Sequence, residues 1–168
     1  MRPFNSTRAR AIAAALGLAV SLAPAVRAGS THARATRDQR DADRALSSEG
    51  YADRVFELLN QERRRHGLRQ LRSDACSQGY ATRWSAELAR SERLRHQSMR
   101  PMMKTCRAKR VAENVALGTV GPERIMKTWM DSPGHRANIL DPRLDWVGVA
   151  AARSESGRWY VVQDFLGN

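Results

Sequence analysis

The sequence has few cysteines, few aromatic residues and no long apolar run. Its two cysteines, Cys76 and Cys106, are too few for a disulfide-dense miniprotein or for an all-cysteine zinc site. Aromatic residues make up only 6% of the chain. The sequence also lacks the motif of glycine and aromatic residues that is typical of a surface on which bases stack. The uncharged run before Pro24 covers residues 11–23, which is too short for a helix that crosses a bilayer. Together with a mean hydropathy of −0.58, this excludes a polytopic membrane protein.

The chain instead carries an excess of arginine. It has 29 Lys and Arg against 17 Asp and Glu, a formal net charge of +12, and only 3 of its basic residues are lysine. A basic protein is attracted to anionic surfaces such as envelope polymers and lipid headgroups, although a merely solvated basic surface is the simpler interpretation. Nucleic acid is not an expected partner, because no recognition-helix motif is present. A hydrophobic content of 42% in 168 residues predicts a folded domain of ordinary size.

The first 28 residues have the pattern of a secretory signal peptide. Arginines at the start precede the uncharged residues 11–23, and residues 26–28 form a small-x-small pattern. Cleavage is therefore expected after Ala28, with residues 23–25 as the second choice. An uncleaved membrane anchor is the alternative. In either case the bulk of the chain is expected to be exported, so we predict a secreted, extracellular protein with no transmembrane segment in its mature form.

Residues 29–50 are polar and are expected to form a linker, and the folded domain is expected to cover residues 51–168. Its first part has helical apolar spacing and its last part alternates with a period of two, which favours an α+β fold. The predicted elements are helices over 51–66, 75–90 (with Asp74 as the cap) and 121–131, a break at 132–134, strands over 147–151 and 159–165 in a hairpin, and a weaker strand over 111–117.

Export changes how the two cysteines are interpreted. In an oxidising compartment a Cys76–Cys106 disulfide is the expected state, with two buried free thiols as the alternative. An oxidised pair leaves no thiolate nucleophile, which argues against a catalytic cysteine.

Two histidines and one glutamate are the residues best suited to form a metal-binding or catalytic site. His96 and His135 each follow a predicted helix, and Glu113 lies between them in an apolar segment where a charged group usually has a partner. Two imidazoles and a carboxylate can form a zinc-type site with an open water position. From spacing alone, structural hydrogen-bonding roles are the stronger alternative. His32 and His66 are expected to be solvated.

Other polar and aromatic residues have structural interpretations. The stripe that contains Trp84 is expected to belong to the core, and Trp146 and Trp159 are expected to pack the C-terminal hairpin against the helices. Asn138 is expected to stabilise the turn after the third helix, and Arg136 is expected to lie at the surface.

Four segments of the domain resemble the CAP superfamily, also called the SCP domain, in its bacterial secreted branch. This superfamily is named for cysteine-rich secretory proteins, antigen 5 and plant pathogenesis-related proteins. The similar segments are LNQER over 59–63, AENV over 112–115, WMDSPGHRANIL over 129–140, and VGV over 147–149 with YVVQDF over 160–165. The third segment is the most specific, and together the four cover about residues 51–168.

The resemblance implies an α-β-α sandwich, with a central antiparallel sheet flanked by helices and a central cleft. His96, Glu113 and His135 match the cleft residues of the family, so His96 and His135 are the expected ligands of Zn²⁺ or another divalent metal. The second cleft glutamate of eukaryotic members falls at Ser132, next to Asp131. The fourth polar position of the cleft is therefore expected to be Ser132, Asp131 or a water molecule.

The resemblance does not fix an activity, because one fold can serve several functions. The leading interpretation is a secreted binding module, whose cleft holds a metal and a small or lipidic ligand such as a lipid or sterol. A cationic effector that acts on envelope polymers and a metal-assisted, peptidase-like hydrolase are the alternatives. The sequence contains neither a nucleophile-elbow serine nor a His-Glu-x-x-His motif, which disfavours an enzyme. The ligand and the oligomeric state remain open.

Overall fold

The computed structural model describes residues 46–168, so the expected signal peptide, most of the expected linker and His32 lie outside it. No helix within this range has both the length and the apolarity that crossing a bilayer requires. The elements, in chain order, are α1 (Ser48–Arg65), β1 (Arg72–Ser73), α2 (Ala75–Ser91), α3 (Met99–Thr105), β2 (Arg110–Gly118), α4 (Pro122–Asp131), α5 (Pro133–Ile139), β3 (Trp146–Arg153) and β4 (Trp159–Gly167).

Local capping determines where the first two helices begin. The Ser47 side chain accepts a hydrogen bond from the Gly50 backbone N–H at 3.0 Å, so α1 begins at Ser48 rather than at Tyr51. Asp74 caps α2 as expected, by accepting from the Ser77 backbone N–H at 2.9 Å. The residues before Tyr51 therefore contribute the first turn of α1.

The sheet has the strand order β1-β3-β4-β2. β4 pairs antiparallel with both β3 and β2, which confirms the C-terminal hairpin and the weaker central strand. β1 was not predicted, since two residues are too few to show an alternating pattern, and it pairs parallel with the start of β3. The sheet is therefore antiparallel as expected, with one short parallel addition.

The sheet lies between two layers of helices. Alternate β4 residues, among them Trp159, Val161 and Phe165, pack with apolar residues of α1, α4 and α5. The intervening residues Tyr160 and Val162 face α2, and Leu166 packs near α3. The chain thus has the expected α-β-α arrangement, with α1, α4 and α5 on one face and α2 and α3 on the other.

Two helices depart from the prediction. Residues 132–134 end α4 as expected, but Pro133 also starts α5, because proline is well tolerated at the first helical position. His135 and Asn138 are therefore helical, and the prediction that Asn138 stabilises a turn was wrong. α3 was not predicted; it is a short helix whose one fully buried residue is Met102.

The Cys76–Cys106 disulfide is confirmed. It joins the first turn of α2 to the residue that ends α3, with a Cα–Cα distance of 5.7 Å and a sequence separation of 30. Closing a loop of this length stabilises the fold by about 3–4 kcal/mol in the chain-entropy model. The bond fixes α3 to α2 on one face of the sheet.

The two edges of the sheet differ in how their backbone groups are satisfied. At the β2 edge, Asn138 donates to the Glu113 carbonyl at 3.1 Å, and the Trp129 indole donates to the Val115 carbonyl at 3.4 Å. At the β3 edge, the two residues of β1 pair only with Trp146 and Val147. Side chains thus cover part of the first edge, whereas most of the second has no neighbouring strand among residues 46–168.

Candidate functional site

Two neighbouring cross-strand pairs of polar side chains interrupt the otherwise apolar strands β2 and β4. Glu113 pairs in register with Asp164, and Asn114 pairs with Gln163. Because successive side chains alternate across a strand, the two carboxylates lie on the α2–α3 face and the two amides on the opposite face. All four residues are buried. The sheet therefore positions a carboxylate pair and an amide pair at the same level.

His96 is held by Glu113 on the carboxylate face. The His96 Nδ1 atom lies 2.6 Å from Glu113 Oε1, and the Gln97 backbone N–H donates to the same oxygen at 3.2 Å. Because a carboxylate oxygen is an acceptor, the His96 Nδ1–H donates in this contact, and Nε2 is the ring nitrogen that Glu113 leaves free. The His96 side chain is 63% exposed, whereas that of Glu113 is 2% exposed. A buried carboxylate thus orients an accessible imidazole.

Gln97 joins the two carboxylates. Its Nε2 atom donates to Glu113 Oε2 at 2.9 Å and to the Asp164 oxygens at 2.9 and 3.1 Å. Burial, and then the neighbouring charge of Glu113, raise the pKa of Asp164 to about 8, although the bond from Gln97 acts in the opposite direction. Asp164 is therefore mostly protonated at neutral pH, and Glu113 is left as the acceptor for His96.

His135 approaches from the opposite face, at the β2 edge. Asn114 donates to its carbonyl at 3.2 Å, and Asn138 donates to Asn114 Oδ1 at 2.9 Å, which fixes α5 beside β2. The Nδ1 atom of His135 is buried with no hydrogen-bond partner among residues 46–168. Burial, and then the charge of His96, lower the pKa of His135, so it is neutral at physiological pH. The two histidines are thus within electrostatic range of each other.

The other predicted site residues do not join this cluster. Asp131 forms an exposed ion pair with Lys127 at 2.7 Å. Ser132 is the residue before α5, and its side chain makes no capping hydrogen bond. In residues 46–168, no group of three His, Cys, Asp or Glu side chains is arranged to hold a metal ion. Of the predicted residues, His96 and Glu113 are in direct contact, and His135 interacts with His96 only electrostatically.

The buried guanidinium of Arg63 hydrogen-bonds the C-terminal end of α5. Arg63 is 1% exposed, and its guanidinium donates to the carbonyls of Arg69, Ile139 and Asp141 at 2.8 to 3.0 Å. Burial lowers its pKa. Because Ile139 ends α5, Arg63 connects the end of α1 to the helix that carries His135.

The remaining predicted surface residues meet at the protein surface. His66 donates through Nδ1 to the Glu62 carbonyl, and its Nε2 atom accepts from an Arg136 guanidinium nitrogen at 3.1 Å. Both residues are exposed, as expected.

Sequence reasoning missed Gln97, Asp164 and Asn114 as parts of the site. A signal was present for Asp164, since it interrupts a strand whose other residues are mostly apolar, and such a polar residue usually has a partner. Gln97 gave no such signal, because it follows α2 in a polar segment.

Comparisons with known proteins agree with this fold. The family described as "Cysteine-rich secretory protein family", CAP, matches residues 56–165. An uncharacterised protein of Bacillus subtilis, YkwD, is 36% identical over 128 residues, which are 72% of this chain and 49% of that protein. The chain thus spans about half the length of this curated relative.

Solved structures show the same fold at low identity. An extracellular protein of Bacillus anthracis that contains an SCP domain superposes with a TM-score of 0.63 and 21% identity, over 72% of this chain and 41% of that one. An outer surface protein of Borrelia burgdorferi superposes with a TM-score of 0.67 and 16% identity, over 73% of this chain and 96% of that one. At these identities, the likeness concerns the fold.

Proposed function

The chain belongs to the cysteine-rich secretory protein family, CAP, and we propose that it is a secreted binding module. In this proposal the space at the β2 edge, between His96 and His135, is a cleft that holds a divalent metal and takes a small or lipidic ligand. The signal-peptide pattern of residues 1–28 and the Cys76–Cys106 disulfide support export. The descriptions of the two structural neighbours, one extracellular and one on an outer surface, agree with export.

The contact between His96 and Glu113 is the observation that carries the proposal. A carboxylate that accepts from one imidazole nitrogen, while the other nitrogen is accessible, is the arrangement that orients metal-ligating histidines. An exposed imidazole does not need such a buried partner for solubility or for packing. The arrangement therefore favours a binding role for the Nε2 atom of His96.

The donor set fits a metal site with two protein ligands. His96 is oriented by Glu113, and the lowered pKa of His135 keeps that imidazole in the neutral form that binds metals. The described residues supply no third His, Cys, Asp or Glu in position, so water would complete the coordination. We therefore expect micromolar rather than nanomolar affinity for Zn²⁺. Bound metal would supply a Lewis acid at the cleft.

Titration calorimetry of Zn²⁺ into the metal-free protein tests this proposal. We expect micromolar binding that is lost when His96 and His135 are both replaced by alanine. Glu113→Gln should weaken binding about 10- to 100-fold, because the outer partner of a metal-bound histidine contributes by that order.

His66→Ala is the matched control, because His66 is an exposed histidine that does not contact the cluster. This variant should bind Zn²⁺ as the unaltered protein does. If the double variant keeps the affinity, or if His66→Ala loses it, the two cleft histidines are structural and the metal part of the proposal fails.

A second candidate function, a cationic effector directed to anionic envelopes, has support in one surface segment. Residues 93–112 contain seven basic residues and no Asp or Glu; we call them the cationic segment. Leu94 and Met103 within it are 44% and 40% exposed. Exposed apolar side chains among cations are typical of a surface that contacts anionic lipid. The basic residues are Arg93, Arg95, Arg100, Lys104, Arg107, Lys109 and Arg110.

Binding to phosphatidylglycerol vesicles tests this second candidate. Arg100→Glu with Lys104→Glu should weaken binding at least about 30-fold, since the loss of each basic residue near the membrane costs about 1 kcal/mol and the new carboxylates add repulsion. Arg64→Glu with Arg124→Glu changes the net charge equally outside the segment and should have a smaller effect. Equal losses in the two variants would mean that only total charge matters, and no loss in either would exclude a charge-driven role.

A further inference from the structure

Most of the β3 edge of the sheet has no neighbouring strand within residues 46–168, although Ala151 on this edge is itself only 7% exposed. β1 pairs with Trp146 and Val147 only, so residues 148–153 have no strand beside them on that side within the described chain. Exposed strand edges are usually protected by proline, charged side chains, bulges or covering loops. Residues 148–152 read Gly-Val-Ala-Ala-Ala and pair with β4 without a bulge, so this stretch has none of the first three protections.

The register with β4 shows which backbone groups point outward. The Gln78 side-chain amide donates to the Val149 carbonyl at 2.8 Å and accepts from the Val149 N–H at 3.0 Å. Val149 therefore directs both groups away from β4, and in an antiparallel pair every second residue does the same. The next such residue is Ala151, whose N–H and C=O have no partner among residues 46–168.

The Gln78 amide binds Val149 just as a residue of a neighbouring strand would. A side-chain amide has one donor and one acceptor arranged as in a peptide group, so it occupies one pairing position of a missing strand. Pairing positions on one side of a strand repeat every second residue, so Ala151 is the next position after Val149 at which a strand could pair.

A groove of about 610 Å³ lies over this edge, between α1 and α2. Its floor is residues 149–152, and small side chains such as Ala52 and Ala86 leave its walls open. A second opening of about 340 Å³ shares Ala86 and Ala152, and it continues the groove toward the β3–β4 turn. The shape is therefore elongated along the strand, as an extended peptide requires.

The charge of the groove is opposite to that of the protein. Glu49 and Asp53 are the charged residues that line the opening of 610 Å³, in a chain whose net charge is +12, and the second opening adds two residues of each sign. No hydrogen bond or ion pair occupies the Asp53 carboxylate in the described residues. An occupant with basic side chains would therefore be electrostatically favoured.

We propose that the β3 edge is a β-augmentation site, at which an extended, cationic segment of another polypeptide adds a strand to the sheet. The backbone of this segment pairs with the N–H and C=O of Ala151, and its basic side chains reach Glu49 and Asp53. This mode of recognition takes its affinity from main-chain hydrogen bonds and its specificity from alternate side chains. The site lies at the opposite edge of the sheet from His96 and His135, so it does not depend on the cleft.

A nitrogen-15 NMR titration of the full chain tests this proposal. The probe is a capped synthetic peptide of about eight alternating lysine and valine residues, a typical strand length. On binding, the Ala151 amide should shift and become protected from hydrogen exchange. The same peptide with N-methylated amides keeps its charge and side chains but cannot pair, and it should bind at least about tenfold more weakly.

Matched substitutions locate the contact on the protein. Asp53→Lys should weaken binding of the peptide about fivefold, whereas Glu57→Lys changes an exposed residue of the same helix outside the groove and should have little effect. Ala86→Trp fills the groove from an exposed position, so it should block binding without disturbing the core.

Several results would overturn the proposal. One is an Ala151 amide that does not respond at about 1 mM peptide, or equal binding of the N-methylated peptide. Another is an Ala151 amide that is already protected in the free protein. Protection that persists on dilution would mean that the chain covers its own edge, and protection lost on dilution would mean that a second copy does.

Discussion

Replacing Arg63 by alanine is expected to lower the free energy of unfolding by about 3–5 kcal/mol. The guanidinium is buried and donates to three carbonyls, those of Arg69, Ile139 and Asp141. Its removal leaves these acceptors without their donor, the Ile139 carbonyl in a buried place and the other two in partly buried ones, and it also leaves a cavity. The expected cost is large because one side chain satisfies backbone groups from three segments.

Arg63→Lys keeps the positive charge but removes the planar set of donors, so it shows how much each contributes to stability. Arg63 uses Nε for one carbonyl and Nη1 for the other two, and a single ammonium nitrogen cannot reach both sides of this arrangement. We therefore expect lysine to recover less than half of the loss. Arg64→Ala, at the neighbouring exposed position, should change stability by no more than about 0.5 kcal/mol.

Urea denaturation gives these free energies, and hydrogen exchange tests the link to the site. Because Arg63 binds the end of α5, the amides around His135 should exchange faster in Arg63→Ala than in Arg64→Ala. Full stability in Arg63→Ala would mean that water or a neighbouring side chain replaces the three bonds, and that α5 does not depend on this cation.

The second large expected effect is a dependence of stability on pH caused by Asp164. Its pKa is raised from 3.8 to about 8 in the folded protein, mainly by burial. A raised pKa means that the folded state holds the proton more tightly than the unfolded state. The stabilisation is therefore complete below about pH 4 and is lost as pH rises toward 8, at about 1.4 kcal/mol per pH unit.

Asp164→Asn tests this expectation, because asparagine resembles the protonated acid at every pH. The difference in unfolding free energy between the two proteins should grow with pH between about 4 and 8, in favour of the asparagine variant. Above pH 8 the difference should become constant. Taking the difference cancels groups that titrate in both proteins, such as His135, whose lowered pKa acts in the opposite direction. A difference that does not vary with pH would mean that Asp164 is ionised in the folded protein.

The order of elements was predictable because it depends on local patterns. Alternation in 159–165, the cap at Asp74 and the proline at position 122 each act over a few residues, and each produced the expected element. α5 was missed because Pro133 both ends one helix and starts the next, and the proline alone does not distinguish the two. β1 was missed because two residues carry no period.

The site was only partly predictable because it is assembled by pairing between distant strands. The resemblance identified His96, Glu113 and His135, of which the structure places His96 and Glu113 in contact. That Asp164 stands opposite Glu113, and that Gln97 joins them, follows from the register of β2 against β4. Such a register is fixed by the packing of both faces of the sheet, and a single sequence does not reveal it.

The unequal edges of the sheet also limit how molecules of this protein can polymerise. A fibre that grows by edge pairing needs two competent edges on every molecule, one to receive a strand and one to offer the next. Here Trp129 and Asn138 already occupy carbonyls along β2, whereas on β3 the Gln78 amide occupies Val149 and the backbone groups of Ala151 have no partner among residues 46–168. Association through the sheet should therefore stop at the first added strand. The difference between the β2 and β3 edges allows one strand to pair at β3 but opposes growth of a fibre through β2.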